Sequence, residues 1–304
     1  MRMTRTLTVL LVLLLATPLL ADEGMWLFNR PPKELIKQRY GFEITDAWLA
    51  HAQKSAVRFN TGGSAAFVSP DGLIITNHHV GSDCISKLST KEHDYIHDGF
   101  IARKRADEPR CTDLEVNVLM SIEDVSDRVN EAVTPAMTPA DAERARRGVM
   151  STIEKDSLDK TGLRSDIVTL YQGGQYHLYR YKKYTDVRLV FAPEESIAFF
   201  GGDPDNFEYP RYDLDIAFFR AYENGAPVKS ADYLKFSPTG VKEGELVFIA
   251  GNPGSTERMK TVADLLYARD VGLPFTMNTL RRREVTIGTW AKRSAENARR
   301  ANDD

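Results

Sequence analysis

Two adjacent histidines follow an apolar run at residues 73–80, Leu-Ile-Ile-Thr-Asn-His-His-Val. A strand that ends here would hold an imidazole rigidly, and an imidazole exchanges its proton near neutral pH, as a general base must. His79 is the candidate base because it takes the histidine position of a Thr-Asn-x-His-Val pattern. His78 fills the variable position and points the other way on an extended chain. Taken alone, such a pair is more often structural, but the surrounding pattern favours the catalytic interpretation.

An aspartate enters a second apolar strand at residues 212–220, Tyr-Asp-Leu-Asp-Ile-Ala-Phe-Phe-Arg. A buried carboxylate behind the histidine would orient the imidazole and stabilise its protonated form without taking the proton. Asp215 is the candidate, rather than Asp213, because it directly precedes the apolar residues. Without His79, an aspartate that only caps a strand end would be the simpler interpretation. The 136 positions between the two candidates are explained by a polar, helical stretch at 124–160.

Two serines stand in suggestive places, and neither is a credible nucleophile. Ser255 lies in Gly-Asn-Pro-Gly-Ser-Thr at 251–256, without the Gly-x-Ser-Gly-like loop whose backbone N–H groups form an oxyanion hole. Ser64 lies inside a predicted pair of strands. Neither serine is therefore expected to act as the nucleophile.

Short β-strands are the elements expected to position these groups. A turn at 69–72, Ser-Pro-Asp-Gly, separates two apolar runs and predicts a hairpin. Further strands are predicted at 115–122, 166–171, 175–183, 186–192, 214–222 and 245–251. Helices are predicted within 22–60, across 124–160 with a typical start at 138–141, and from Met259 to the end. The pattern favours a small β-barrel with helices around it, followed by the start of a helical region.

The first 21 residues are typical of a secretory signal peptide, with two arginines before an apolar stretch at 7–15 and Ala21 before two acidic residues. The cleavage point is left open because Leu19 is larger than usual for its position. A membrane anchor is the alternative, but it needs about 20 apolar residues, and this stretch is shorter and contains Pro18. We expect a periplasmic or secreted protein that keeps no stable membrane anchor.

Export would bring the two cysteines of the sequence, Cys84 and Cys111, into an oxidising compartment. We expect them to form one disulfide, which would close a loop of about 28 residues and add about 3 kcal/mol to the free energy of unfolding. Two separate buried thiols are the alternative.

The composition, 42% hydrophobic and 27% charged, is typical of a globular protein. The net charge of −3 would become −5 without the two leader arginines, so nucleic acid is not an expected partner. His93 and His97 are four positions apart, but a His-Glu-x-x-His zinc motif needs a glutamate where Asp94 stands. No metal and no other cofactor is expected. A Gly-rich loop at 200–211 could bind a cation, shape a ligand pocket, or be an ordinary turn.

Together these residues resemble the bacterial dipeptidyl-peptidases of serine peptidase family 46, the dipeptidyl-peptidase seven and eleven type. The matching segments run over nearly the whole mature chain and are Gly24–Trp26, Gly63–Gly72, Thr76–His79, Glu92–Tyr95, Asp98–Phe100, Thr185–Val190, Gly201–Asn206, Pro210–Arg211, Asp215 and Gly251–Thr256. The resemblance implies two β-barrels with a large helical domain inserted between them. The expected fold class is mainly β with helices: a first chymotrypsin-like β-barrel, within 22–256, plus the start of the inserted α-helical domain at 257–304.

The resemblance also implies an activity and the roles of site residues. The family removes dipeptides from peptide substrates with a free N-terminus, and His79 and Asp215 match its base and its orienting carboxylate. Asn206 is implied to help hold the α-ammonium group of the substrate. A tryptophan follows it in the family, and here Phe207 keeps the ring without the N–H donor. The family serine lies in the second barrel, so the present chain should lack acyl-transfer activity by itself; a homodimer of the full-length enzyme is implied as well.

Two other functions stay open on the sequence. An envelope endopeptidase of the DegP-like type shares the Thr-Asn-x-His-Val pattern, although the loop around Asn206 argues against it. A non-catalytic envelope binding protein could keep the barrel as a scaffold, because a fold does not determine an activity.

Overall fold

A computed structural model of the protein describes residues 24–202, 204, 208–252 and 260–301. The chain divides into two compact units, with the boundary after Ile44. In the first unit, helix α1 (Lys33–Tyr40) ends at Gly41, which takes a left-handed φ of 66° and donates its N–H to the carbonyl of Lys37. The predicted signal peptide at 1–21 lies outside the described residues.

The second unit is built on one antiparallel sheet of ten strands. These are β1 (Ala56–Phe59), β2 (Ser64–Phe67), β3 (Leu73–Thr76), β4 (Phe100–Ile101), β5 (Val116–Asp124), β6 (Arg164–Leu170), β7 (Gln175–Tyr184), β8 (Asp186–Ala192), β9 (Ala217–Glu223) and β10 (Ala226–Pro227). Their order across the sheet is β4-β8-β9-β3-β2-β1-β5-β7-β6, and β10 pairs with β9. β3 therefore lies between β2, its hairpin partner, and β9, which comes from a distant part of the sequence.

Alternating apolar side chains on these strands form one core. Its fully buried members include Val57 and Phe59 of β1, Ile74 of β3, Val116 of β5, Val187 and Leu189 of β8, and Phe219 of β9. Each such side chain contributes about 1.5–3 kcal/mol through burial. Because β5 and β8 stand far apart in the sheet order and still share this core, the sheet curls around it as a barrel. An edge-to-face contact between Phe67 of β2 and Tyr184 at the end of β7, with ring centroids 6.4 Å apart, spans the interior.

Helices surround the barrel and continue beyond it. They are α2 (Asp46–Ser55), α3 (His78–Leu88), α4 (Tyr95–Asp98), α5 (Ser126–Asn130), α6 (Pro139–Thr161), α7 (Glu195–Ala198), α8 (Val262–Tyr267), α9 (Leu273–Ala291) and α10 (Ala295–Ala301). The start of α6 is the predicted one, since the Thr138 side chain accepts the backbone N–H of Asp141. This helix packs Ile153 against Val129 and Leu178, which form a second, smaller core.

One predicted strand is absent from the described part of the chain. Residues 245–251 contain a continuous apolar run but pair with no described strand, and Val247 and Ile249 are 60% and 98% exposed. Phe248 instead packs against Trp48 in a tilted arrangement, with ring centroids 4.9 Å apart. An apolar run forms a strand only where an adjacent strand supplies hydrogen bonds, and no described strand pairs with this segment. The predicted boundary at 256/257 falls outside the described residues and stays a prediction.

A disulfide joins Cys84 of α3 to Cys111, with Cα atoms 5.4 Å apart, and both residues are buried in the barrel core. It fastens the helix that carries the histidine pair to the loop before β5. In the part of the chain that the structure describes, every helix is too short or too polar to traverse a bilayer.

Candidate active site

The histidine pair begins helix α3, directly after strand β3. The Thr76 hydroxyl, at the end of the strand, donates to the Ser64 carbonyl at 2.8 Å. Asn77 keeps an extended conformation, φ −76° and ψ 152°, and His78 opens the helix. His79 is therefore held in a first helical turn whose entry is fixed by the sheet.

Two glycines let this turn lie close to the barrel. A Cβ on Gly81 would stand 2.7 Å from the buried ring of Phe219, and a Cβ on Gly63 would fall inside the Val80 side chain. Such distances are well inside van der Waals contact, so neither position can take a larger residue without a shift. The position of His79 thus depends on its glycine neighbours as well as on the strand.

The two histidines face opposite environments. His78 is 4% exposed, and desolvation by burial lowers its pKa despite the nearby negative charge of Asp215. The His79 side chain is 72% exposed. Of the two, His79 is the one whose ring can meet a ligand that arrives from solvent.

Asp215 lies beside His79 because of the register between β3 and β9. Thr76 pairs with Ala217, so the residue two positions before β9 falls next to the start of α3. Asp215 Oδ2 is 2.7 Å from His79 Nδ1, and Asp215 Oδ1 accepts the backbone N–H of His79 at 3.1 Å. The carboxylate side chain is only 16% exposed. The structure therefore brings the two sequence-predicted residues into direct contact.

This contact determines which ring nitrogen is available for chemistry. A carboxylate accepts hydrogen bonds, so the proton of a neutral His79 belongs on Nδ1 and Nε2 keeps its lone pair. A hydroxyl placed at Nε2 could give up its proton there. The carboxylate behind the ring would stabilise the imidazolium that results.

Asn77 completes the surroundings of the carboxylate and has no role in the sequence-based hypothesis. Its side-chain amide donates to Asp215 Oδ2 at 3.2 Å and to the Asp215 carbonyl at 3.1 Å. Asn77 is part of the Thr-Asn-x-His motif, but its partner Asp215 is 138 positions away, and no local sequence pattern links the two residues.

Asp213, the rejected alternative, has a different partner. Its carboxylate forms an ion pair with Arg211, and its side chain is 13% exposed. The residue between the two aspartates, Leu214, donates its backbone N–H to the Ile197 carbonyl at 2.8 Å. This bond ties the approach to β9 to helix α7.

Ser64 has a supporting position in the sheet. Its hydroxyl oxygen accepts the backbone N–H of Asn252 at 2.6 Å, and a Cβ on Gly251 would lie at the same distance from that oxygen. Ser64 thus anchors the chain at 251–252. The other rejected serine, Ser255, and the predicted substrate-binding residues Asn206 and Phe207 lie outside the described residues.

The remaining histidines show no arrangement for metal binding. His97 contacts its neighbour Asp98 at 2.7 Å and is 85% exposed, and His93 stacks on Tyr95. Within residues 24–202, 204, 208–252 and 260–301, no group of His, Cys, Asp and Glu side chains could hold a metal ion. His51 and Asp232 form a further His–Asp pair at 3.0 Å, which sequence reasoning missed.

Comparison with known proteins places this geometry among peptidases. The family profile described as Peptidase S46 matches residues 21–304. The chain is similar to dipeptidyl-peptidase 7 of Capnocytophaga gingivalis, with 34% identity over 264 residues, 81% of this chain and 37% of the relative. It is also similar to the Asp/Glu-specific dipeptidyl-peptidase of Porphyromonas endodontalis, with 32% identity over 280 residues, 85% of this chain and 39% of the relative. The chain thus spans less than two fifths of the length of these curated relatives.

Solved structures show the same relationship. The crystal structure of Porphyromonas endodontalis DPP11 in an alternate conformation matches with a TM-score of 0.74 and 29% identity, over 92% of this chain and 45% of that one. DPP11 in complex with the dipeptide Arg-Glu matches with a TM-score of 0.63 and 30% identity, over 74% of this chain and 35% of that one. These likenesses, with the curled antiparallel sheet and its helices, confirm the predicted fold class.

Proposed function

The chain belongs to the peptidase S46 family, as its motifs predict, and we propose that the full-length protein carrying it is a serine dipeptidyl aminopeptidase. It would release dipeptides from peptides with a free N-terminus. The observation that carries this proposal is the 2.7 Å contact between His79 Nδ1 and Asp215 Oδ2 on a barrel of the family fold. The relatives named dipeptidyl-peptidase support the substrate class.

The reaction would proceed through an acyl-enzyme. A serine hydroxyl from chain beyond residue 304 attacks the carbonyl carbon of the second substrate residue, and His79 Nε2 accepts its proton. The imidazolium then donates that proton to the departing amine. Water attacks the ester in the second half, loses a proton to His79, and the proton returns to serine as the dipeptide leaves. Asp215 keeps the Nδ1–H oriented and stabilises the imidazolium in both halves.

Recognition of the substrate N-terminus is proposed for the loop that contains Asn206 and Phe207. The amide oxygen of an asparagine can accept hydrogen bonds from an ammonium group, and a phenyl ring offers apolar contact without a donor. The bond between Leu214 and Ile197 supports this proposal, because it ties the end of the same loop beside the carboxylate partner of His79.

Export to the periplasm or the medium is the proposed location. The disulfide between Cys84 and Cys111 supports it, because such bonds persist in oxidising compartments. Removal of residues 1–21 and a homodimer of the full-length enzyme belong to the same proposal.

The test compares fluorogenic dipeptidyl amides with a free and with an acetylated N-terminus, using the purified full-length protein and its His79→Ala variant. We expect release from the free substrates, loss of release on acetylation, and a kcat at least about 10⁴-fold lower for His79→Ala. Comparable cleavage of blocked substrates or of internal bonds would favour an endopeptidase. Absence of both cleavage and labelling by a fluorophosphonate probe would favour a binding protein.

A further inference from the structure

We propose that Asn77 is a positioning residue that holds the Asp215 carboxylate in the orientation that serves His79. This inference rests on the proposed function, since it concerns the same site.

The first observation is that Asn77 stands at a helix start without acting as its cap. Asparagine is a favoured N-cap residue because its side-chain oxygen can accept an N–H from the first turn. Asn77 is the N-cap of α3 and makes no such bond. It is also exposed, so packing in the core does not explain its side chain.

The second observation is where the side chain goes instead. Both amide hydrogens of Asn77 have acceptors on one residue: the Asp215 carbonyl at 3.1 Å and Oδ2 at 3.2 Å. One amide therefore bridges the backbone and the carboxylate of Asp215. A bridge of this kind restricts rotation of the aspartate side chain.

The third observation is that Asp215 has few other hydrogen-bond donors among the described residues. It precedes β9, which starts at Ala217, so no ladder bond of the sheet fixes it. Its carboxylate accepts from the backbone N–H and the ring of His79 and from Asn77. Two of these three donors belong to His79 itself, so the Asn77 amide is the donor that orients the carboxylate independently of the histidine.

The test separates positioning from capping with two substitutions in the full-length protein. Aspartate is as good an N-cap as asparagine, but it lacks the amide donor and adds a negative charge beside Asp215. Alanine removes both capping and donation. Asn60 is the matched control, because its amide also donates to a backbone carbonyl, that of Asp113 at 2.9 Å, and its oxygen accepts the backbone N–H of Glu115, so its described bonds do not go to the dyad.

We expect Asn77→Asp to lose about tenfold to a hundredfold in kcat, with KM little changed, when variant and wild type are each assayed well below their own melting temperatures. The added charge favours protonated imidazole, so the acidic limb of its kcat/KM profile should move to higher pH. Asn77→Ala should lose kcat by a similar factor, measured well below its own melting temperature. Asn60→Asp should keep wild-type kcat and an unshifted profile.

Wild-type kcat and an unshifted pH profile in Asn77→Asp would overturn the proposal. A wild-type protein that releases no dipeptide would instead defeat the proposed function. In that case the downfield proton resonance of His79 Nδ1–H decides the role of Asn77. We expect this signal in the wild type, its absence in His79→Ala, and a shifted or broadened signal in Asn77→Ala; an unchanged signal in Asn77→Ala would overturn the proposal.

Discussion

Asp215 and Asp213 are two positions apart and both largely buried, yet they have different partners. Asp215 meets His79, whereas Asp213 pairs with Arg211. In the full-length enzyme, Asp215→Asn should keep the geometry but favour the wrong imidazole tautomer, and kcat should fall about 10⁴-fold. Asp213→Asn is the matched control, and its kcat should stay within about tenfold of wild type because it leaves the tautomer unchanged. Similar losses in both variants would show that the carboxylates act together.

His78 gives the protein a specific dependence on pH. Burial lowers its pKa, so the unfolded chain takes up a proton before the folded protein does as the pH falls. The contribution of His78 to stability is therefore present above its unfolded pKa of about 6.5 and is lost as the pH falls toward the lower folded value. His78→Gln should flatten the decline in unfolding free energy between about pH 7 and pH 5, as measured by urea titration.

His97→Gln is the control for that experiment. A hydrogen bond that His97 donates to the Asp98 carboxylate raises the pKa of this exposed histidine, which is the opposite direction. Its replacement should not flatten the decline. A flattening of equal size in both variants would mean that burial of His78 is not the cause.

At the scale of elements, helix α3 can lie close to the barrel because Gly81 has no side chain. A Cβ on Gly81 would overlap the ring of Phe219, which is fully buried and cannot move aside cheaply. Gly81→Ala should lower the free energy of unfolding by about 1–3 kcal/mol and lower kcat, because the first turn carries His79. Gly148→Ala is the control: nothing lies within 4 Å of its added Cβ in helix α6, and it should stabilise by about 0.5–1 kcal/mol. Urea unfolding and kcat together check both.

The strands that the sequence predicts correctly are those that have a neighbouring strand to pair with. The two apolar runs within 61–80 and the run 175–183 lie beside other strands. Residues 245–251 also contain an apolar run, but they pair with no described strand, and the prediction of a strand there is wrong. The local pattern of apolar residues indicates which residues of a strand could be buried. The neighbouring strand that supplies the hydrogen bonds is determined by the rest of the fold.

At the scale of the whole molecule, the disulfide fastens helix α3, which carries the candidate base His79, to the barrel. Cys84 lies in α3 and Cys111 in the loop before β5, 27 positions apart. The paired Cys84→Ser, Cys111→Ser variant should lose about 2–4 kcal/mol of unfolding free energy, measured by urea titration. Dithiothreitol should lower the stability of the wild type in the same way and leave the double variant unchanged. An equal response of both proteins would show that reduction acts elsewhere.

The parts of the site that depend on short sequence motifs were predictable. His79 and Asp215 each stand beside an apolar strand, and a serine such as Ser64 could be set aside because it lies inside one. The pairing of Thr76 with Ala217, which makes the contact possible, is a property of sheet register across 140 intervening residues and is not written in either segment. For the same reason Asn77 could be noticed as part of a pattern, while its bridge to Asp215 required the fold.

Strand β3, helix α3 and the entry to β9 bring His79 and Asp215 together within one barrel. In the proposed enzyme, the fraction of active molecules then also depends on how often the part of the polypeptide that carries the serine packs against this barrel. Substitutions that weaken this docking would reduce the number of molecules that give a burst with an active-site titrant, while each competent molecule turned over at its normal rate. Substitutions of the dyad would do the reverse, leaving the docked population intact and slowing every molecule in it.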